Sequence, residues 1–223
     1  MTQPLPPSAG DWWSLFTLFF VVGLIAGTIV VGAMVFFAVK NRQRKGQPKF
    51  IPETSLSRSR AREVVILASI STVLLFSLAI GSYRLTTSFQ YPPPASESLT
   101  INVTAFQWSF RFDYPNGATS IGEVRLPADK QVIFNVTSLD VMHNFGLPDF
   151  KLKIDAIPGM YNTIWITTPS LNGNAELNYT IRCYELCGVG HYDMSAKLVV
   201  MDPAAFNQWL NNQIASNATS AGG

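Results

Sequence analysis

Residues 183–194 of this sequence read CYELCGVGHYDM and carry most of its metal-binding chemistry. Both cysteines of the protein, one of its two histidines and a methionine lie in this stretch, and the second histidine lies forty residues before the first cysteine. These residues are Cys183, Cys187, His191, Met194 and, upstream, His143. Thiolates, imidazoles and thioethers favour copper over magnesium or calcium. The spacing C-x3-C-x3-H-x2-M, with a histidine on a distant strand, therefore predicts one compact metal site for which the remaining chain is the scaffold.

The second cysteine favours two copper ions over one. A mononuclear blue-copper site uses one cysteine, two histidines and a weak axial methionine. If both sulfur atoms bridge a pair of copper ions, each ion takes one imidazole and one weak axial ligand. Met194 serves one ion in this arrangement, and the main-chain carbonyl of Glu185 serves the other. Because these ligands leave no coordination position open to a substrate, we expect the site to transfer single electrons.

Three other interpretations of the same residues remain open at this stage. A Cys183–Cys187 disulfide suits an oxidising compartment, but it leaves both histidines and Met194 unexplained. A tetrahedral zinc site of two cysteines and two histidines satisfies the ligand count, but it has no use for the methionine. A thioredoxin-like copper chaperone also uses C-x3-C with a histidine, although that histidine lies far downstream of the cysteines, whereas His143 precedes them.

The pattern Cys-x-Glu-x-Cys-Gly-x-x-His-x-x-Met resembles the binuclear CuA signature of subunit II of cytochrome c oxidases. Residues 143–148 (HNFGLP) and 153–159 (KIDAIPG) are similar to the other CuA segment of that family. The resemblance extends over nearly the whole chain. It implies an external cupredoxin-like domain that binds two copper ions through side chains and through the Glu185 carbonyl. The implied side-chain ligands are His143, Cys183, Cys187, His191 and Met194.

The resemblance also implies roles for three further groups and for partner proteins. The Glu185 carboxylate would reach a magnesium ion at the border with the haem-copper catalytic subunit I. Trp108 matches the tryptophan through which electrons enter from a soluble donor, although Ser109 and Phe110 replace the usual tyrosine and tryptophan. Glu63 matches a glutamate near the entrance of a proton pathway, but an acid at a helix start also complements the helix dipole. Other oxidase subunits are further implied partners.

Two long uncharged runs, residues 12–39 and 64–83, predict membrane helices, because about 20 apolar residues suffice to cross a bilayer. The loop 40–62 between the predicted helices contains eight Lys and Arg residues and a single acid, Glu53. The positive-inside rule then predicts a cytoplasmic loop with both termini on the outer face. This topology explains the basic residues better than nucleic-acid binding does. We expect an external N-terminus at 1–11, transmembrane helices forming a hairpin at 12–39 and 63–84, a basic cytoplasmic loop at 40–62, a Pro-rich linker at 85–96, an external cupredoxin-like domain at 97–213 and a disordered tail at 214–223.

Alternating apolar and polar residues predict half-buried strands in the external domain. The clearest stretches are 99–104, 131–136, 163–167 and 196–200. Many short strands separated by Gly, Pro and Asn turns indicate an all-β Greek-key sandwich or barrel. Asp202 and Pro203 predict the cap and first residue of a short final helix.

Charge gives a first indication of the electron donor. From Glu97 onward the chain has eleven acids and seven Lys and Arg residues, a net charge of −4. An acidic domain suits a basic donor such as cytochrome c, because complementary charge raises the encounter rate; a small blue-copper protein is the alternative. Four sequons are consistent with an extracellular domain. They begin at Asn102, Asn135, Asn178 and Asn217.

The sequence therefore predicts the subunit through which electrons enter a terminal haem-copper oxidase. It would accept electrons at the two-copper centre and pass them to haem in the catalytic subunit, where oxygen is reduced to water. The expected location is the plasma membrane of a prokaryote or the mitochondrial inner membrane. The alternative function is that of a membrane-anchored copper carrier or chaperone, in which the bound copper is neither paired nor stably held.

Overall fold

The computed structural model describes residues 6–40, 42 and 58–220. The chain divides into two compact units. One unit is helical and extends over Trp13–Ser88, and the other begins at Phe89 and also takes in the start of the first helix, up to Trp12. All the predicted copper ligands belong to the second unit.

Two long apolar helices occupy the N-terminal part of the chain. Helix α1 extends over Pro7–Lys40 and α2 over Arg58–Gln90. Their most apolar 18-residue windows have mean hydropathies of 2.6 and 2.5, so both are long and apolar enough to cross a membrane. Each helix contains the predicted span and extends beyond it at both ends. Proline suits the first position of a helix, as at Pro7 of α1, and no proline follows α2 until Pro92. Most of the predicted loop 40–62 lies outside the described residues.

Within the described residues ten strands form two five-stranded sheets, which confirms the predicted sandwich architecture. The strands are β1 (Leu99–Phe106), β2 (Ser109–Asp113), β3 (Thr119–Ile121), β4 (Glu123–Pro127), β5 (Gln131–Ser138), β6 (His143–Leu147), β7 (Leu152–Ala156), β8 (Asn162–Thr167), β9 (Glu176–Arg182) and β10 (Ser195–Met201). The strand orders are β3-β2-β1-β5-β8 and β4-β10-β9-β6-β7. Within the sheets β1 lies parallel to β5 and β4 lies parallel to β10, and the other pairs of neighbouring strands are antiparallel. All four predicted strands are present.

The core between the sheets is aromatic at its centre. Phe145 of β6 is fully buried, and its ring centroid lies 5.7 Å from that of Phe110 and 5.2 Å from that of Phe134, both on the opposite sheet. Buried aromatic pairs of this kind are stabilising beyond the area that they bury. Because His143 begins the same strand two residues earlier, packing of Phe145 fixes the position of that histidine.

Helix α3 (Pro203–Ser220) closes the domain and begins where the sequence predicted. The Asp202 carboxylate accepts hydrogen bonds from the N–H groups of Ala204 and Ala205 at 2.8 and 3.2 Å, which confirms the predicted cap. The helix includes residues 214–220 of the segment predicted to be disordered, because neither glycine nor proline interrupts the chain before Gly222.

Candidate metal centre

The loop 183–194 joins β9 to β10, and the pairing of those two strands fixes its ends. The N–H of Cys183 donates to the carbonyl of Met194 at 3.2 Å, so the first and last residues of the loop lie side by side. Two consecutive turns, closed by the bonds His191 N–H to Gly188 O and Met194 N–H to His191 O, fold the loop back on itself. The chain thereby brings the two cysteines, His191 and Met194 to one end of the sandwich.

Strand β6 supplies the remaining histidine from the neighbouring position in the same sheet. Residues Gly146 and Arg182 are paired between β6 and β9, and the N–H of Asn144 lies 3.5 Å from the Sγ of Cys183. His143 therefore faces the loop although forty residues separate it from Cys183. Its side chain is 0% exposed, which excludes bulk water from that side of the cluster.

Each imidazole lies against a different thiol. His143 Nδ1 lies 3.9 Å from Cys183 Sγ, and His191 Nδ1 lies 3.5 Å from Cys187 Sγ. The two sulfur atoms are 3.9 Å apart and both cysteines are free. A disulfide has a sulfur–sulfur distance of about 2.05 Å, so the structure contradicts the disulfide interpretation.

Two weaker donors flank the sulfur pair. The buried Sδ of Met194 lies 3.7 Å from Cys187 Sγ, and the carbonyl oxygen of Glu185 lies 3.3 Å from Cys183 Sγ. One thioether is thus next to one sulfur atom and one carbonyl is next to the other. The structure brings together all six of the residues predicted to bind copper.

Burial and proximity disfavour a charged thiol at Cys187 in the metal-free protein. Burial raises the pKa of Cys187 to about 11, and the neighbouring Cys183 adds to the increase. A thiol must lose its proton to become a strong metal ligand. A bound metal cation held by Cys183 and Cys187 would supply the positive charge that favours their thiolate forms.

Asp140 orients His143, a role that the sequence did not predict. Its carboxylate lies 2.8 Å from His143 Nε2 and accepts hydrogen bonds from the N–H groups of Gln107 and Val141, both at 2.7 Å. Burial alone would raise the pKa of Asp140, but these hydrogen bonds outweigh it and lower the pKa. Because Nε2 faces Asp140, the Nδ1 atom is the one directed at the cysteines. In the sequence, the only indication of this role is that Asp140 lies three residues before His143.

Trp108 lies directly over the loop and is 40% exposed. Its Nε1–H donates to the carbonyl of Cys187 at 3.2 Å, and the side-chain amide of Gln107 donates to the same oxygen at 2.7 Å. A Cβ atom at Gly190 would lie 2.4 Å from the indole ring, so only glycine allows this contact. Gly188 has a φ of +114°, a backbone conformation that residues other than glycine rarely adopt. The two glycines of the loop therefore admit the indole.

Glu63, the last of the predicted site residues, lies in the helical unit. It belongs to the second turn of α2, which begins at Arg58, rather than to its first residue. Its side chain is exposed.

A sandwich with sulfur and imidazole donors at one end is a cupredoxin-like copper-binding domain. Residues 120–201 match the family described as cytochrome c oxidase subunit II, periplasmic domain. The crystal structure of the periplasmic domain of subunit II of a cytochrome oxidase from Bradyrhizobium japonicum is similar, with a TM-score of 0.51 and 29% identity. That match covers 56% of this chain and 99% of the other.

The likeness to curated proteins extends into the helices. The heme-copper oxidase subunit 2 of Aeropyrum pernix is 32% identical over 93% of this chain and 97% of its own length. The cytochrome c oxidase subunit 2 of Alkalihalophilus pseudofirmus is 30% identical over 84% of this chain, which spans about half (54%) of that longer protein. The chain therefore belongs to the subunit II family of haem-copper oxidases, which are oxidoreductase complexes.

Proposed function

We propose that this chain accepts single electrons from a soluble carrier at a binuclear CuA centre and passes them to haem in a catalytic subunit. The observation that carries the proposal is the pair of free thiols 3.9 Å apart, each with its own imidazole Nδ1. Two sulfur atoms at this distance can both lie about 2.3 Å from the same metal ion. Two such ions fit, one on each side of the line that joins the sulfur atoms. Bound copper would supply a one-electron redox couple.

The arrangement of the donors supports two ions rather than one. The ligand atoms of His143, Cys183 and Cys187 lie within 4.8 Å of one another, whereas His191 stands outside this group of three. A tetrahedral zinc ion needs its four ligands around one point. Two imidazoles, each next to a different sulfur atom, suit two ions, with Met194 and the Glu185 carbonyl as weak ligands.

The chain itself would do three things for the electron. Trp108 would present an exposed ring to the carrier, and its N–H bond to Cys187 O would lead from that ring to a ligand residue. The proposed ligands, most of which are buried, would hold the same geometry in both oxidation states, because they are fixed by strand pairing and by Asp140. The low exposure of these side chains would keep water and small oxidants out.

Topology supports an outer-face location for the domain. The Oγ of Ser8 donates to the carbonyl of Phe150 in the β-domain at 2.8 Å, and Ala9 is buried. Two helices that cross a membrane and return would leave the start of α1 and the β-domain on the same side. We propose a membrane-anchored chain with residues 40–62 in the cytoplasm.

Three finer assignments belong to the same proposal. Catalytic subunit I would cover the Glu185 side chain, and magnesium would bind at that border. Glu63 would lie near the proton-pathway entrance. Each follows from family membership together with the position of the residue in the sequence.

Electron paramagnetic resonance of the full chain, purified in detergent and reconstituted with copper, tests the proposal. We expect hyperfine splitting from one electron shared equally over two copper nuclei. The signature of one isolated copper, or loss of the metal on dialysis, would instead support the copper-carrier function.

Replacing one bridging sulfur provides a variant test. Cys187→Ser should abolish the shared-electron signal, because a hydroxyl cannot replace a bridging thiolate. Tyr192→Phe changes an exposed residue of the same loop and should retain the signal. An unchanged spectrum in the serine variant would contradict the bridging assignment.

A further inference from the structure

An open cavity of about 630 Å³ lies against the copper loop, and every residue that lines it is uncharged. We name it the loop cavity. Its walls include Val141 and Met142, which precede β6, and Leu186 and Val189 of the loop, and Cys187 is also among its lining residues.

The side chains that line the loop cavity are unusually exposed for apolar residues. Leu186 is 82% exposed and Val189 is 85% exposed. Single exposed apolar residues are common on protein surfaces, but several that share one concave surface mark an interaction site. Covering them would release about 25 cal/mol for each Å² removed from water. The loop cavity therefore suits a partner with an apolar contact face.

The position of the loop cavity indicates which kind of partner. A partner in the loop cavity would touch Cys187, a proposed ligand. It would also lie beside Gln107, whose neighbour Trp108 donates a hydrogen bond to the carbonyl of Cys187. A redox protein bound at this place would lie next to the proposed ligands and to the exposed ring of Trp108. The carboxylate of Asp140 is bonded to the N–H groups of two lining residues, Gln107 and Val141, and lies 2.8 Å from His143 Nε2.

The local surface differs from the domain as a whole. A net charge of −4 from Glu97 onward favours a basic donor, and a donor held by charge needs acids around the contact. The loop cavity offers none. We infer that the loop cavity docks a soluble one-electron carrier through an uncharged, apolar face rather than through a ring of lysines. This inference rests on the proposed electron-accepting function.

Such a contact has predictable kinetics. Electron-transfer encounters bury little area, often below about 1,200 Å². An association that is not steered by charge has a rate constant of about 10⁵–10⁶ M⁻¹s⁻¹ and depends little on ionic strength. A charge-steered association slows as the Debye length falls from about 30 Å at 0.01 M to about 10 Å at 0.1 M.

The test is stopped-flow reduction of the copper-loaded full chain in detergent by two probe donors. One probe is a reduced cytochrome c with a lysine-rich face, and the other is a reduced blue-copper protein with an apolar face. We expect the second probe to react faster at about 0.1 M salt and its rate constant to change less than about twofold between 0.01 and 0.1 M. A steep decrease with salt, or faster reaction of the lysine-rich probe, would overturn the inference.

Charge substitutions provide a second measurement. Leu186→Glu and Val189→Glu should each lower the rate constant with the apolar probe about tenfold. Ile121→Glu on β3 is the matched control, since Ile121 is 65% exposed and does not line the loop cavity. Equal rates in all three variants would overturn the inference.

The two proposals fail in different ways. Loss of the paired-copper signal, or failure of dithionite to reduce the parent chain, rejects the electron-accepting function itself. A parent with the paired signal and normal reduction by dithionite, but with donor rates that the loop substitutions do not change, rejects only the apolar docking.

Discussion

At the residue scale, one main-chain oxygen connects the protein surface to the proposed ligands. The carbonyl of Cys187 accepts hydrogen bonds from both Trp108 and Gln107. The indole is therefore held in one orientation against the loop. An exposed aromatic ring fixed in this way is suited to receive an electron and unsuited to bind a substrate.

Trp108→Phe keeps an aromatic ring and removes the N–H donor. The change breaks the hydrogen bond from the ring to the carbonyl of Cys187, so we expect electron uptake to slow with the copper content unchanged. Stopped-flow reduction and copper analysis measure the two quantities. Trp165→Phe on β8 is the control. Electron uptake at the parental rate in Trp108→Phe would show that Trp108 serves only in packing.

Asp140→Asn tests the orientation of His143. The amide keeps one acceptor but loses the carboxylate charge, and changes in such supporting groups lower metal affinity about 10–100-fold. Chelator competition measures the affinity, and the spectrum of the bound copper reports the imidazole environment. Asp193→Asn removes the same charge from the far end of the loop and should leave the affinity close to that of the parent. Equal affinities in both variants would contradict the role of Asp140.

At the scale of elements, β6 connects the core to the metal centre. Phe145 contacts rings on the opposite sheet, and His143 stands two residues earlier on the same strand. A substitution in the core should therefore affect copper binding as well as stability.

Phe145→Ala should cost about 3–5 kcal/mol, because it removes a fully buried ring and leaves a cavity. Denaturant unfolding of the full chain, followed by near-UV circular dichroism, measures the loss. Ile121→Ala, an exposed substitution, should change stability by about 0.5 kcal/mol or less. A loss below about 1 kcal/mol for Phe145→Ala would show that the inter-sheet contact is not what holds β6.

Tyr114 connects helix α3 to the sandwich. The hydroxyl of Tyr114 accepts the N–H of Arg125 at 2.9 Å and donates to the carbonyl of the same residue at 3.1 Å. The ring of Tyr114 contacts those of Phe206 and Trp209 on α3. The result is a connection between β2, β4 and the last helix.

Tyr114 predicts a loss of stability at high pH. Burial raises its pKa from 10.0 to about 12. The unfolded chain then loses this proton first, so the stabilisation is complete below pH 10 and is lost as the pH rises towards 12, by about 1.4 kcal/mol per pH unit. Unfolding of the parent and of Tyr114→Phe at several pH values measures the difference. The variant should be less stable at pH 8 and should show a shallower decrease above pH 10, whereas parallel curves would contradict the prediction.

At the scale of the whole molecule, net charge and local surface give different indications about the donor. The external part of the chain is acidic, yet the loop cavity is uncharged. Net charge acts over the distance of a Debye length and affects the approach of any partner. The face that a donor finally touches depends on the few side chains that the fold brings to one place.

The sequence alone determined which residues carry donor atoms suited to copper, the two apolar helices and the strand-rich domain. These are local properties: ligand chemistry depends on residue type, and helices and strands have periods that can be read within a few residues. The cap at Asp202 was predictable for the same reason. The ends of α1 and α2 were not, because both helices continue past the uncharged residues that mark the predicted spans.

Only the tertiary structure decided how the ligands are paired and what surrounds them. Strand pairing between β6 and β9 brings His143 to Cys183, and the turns of the loop bring His191 to Cys187. The orientation of His143 by Asp140 depends on contacts between segments far apart in the chain. The contact of Trp108 with Cys187 does so as well. Such distances follow from the packing of two sheets around Phe145, and no local pattern in the sequence encodes them.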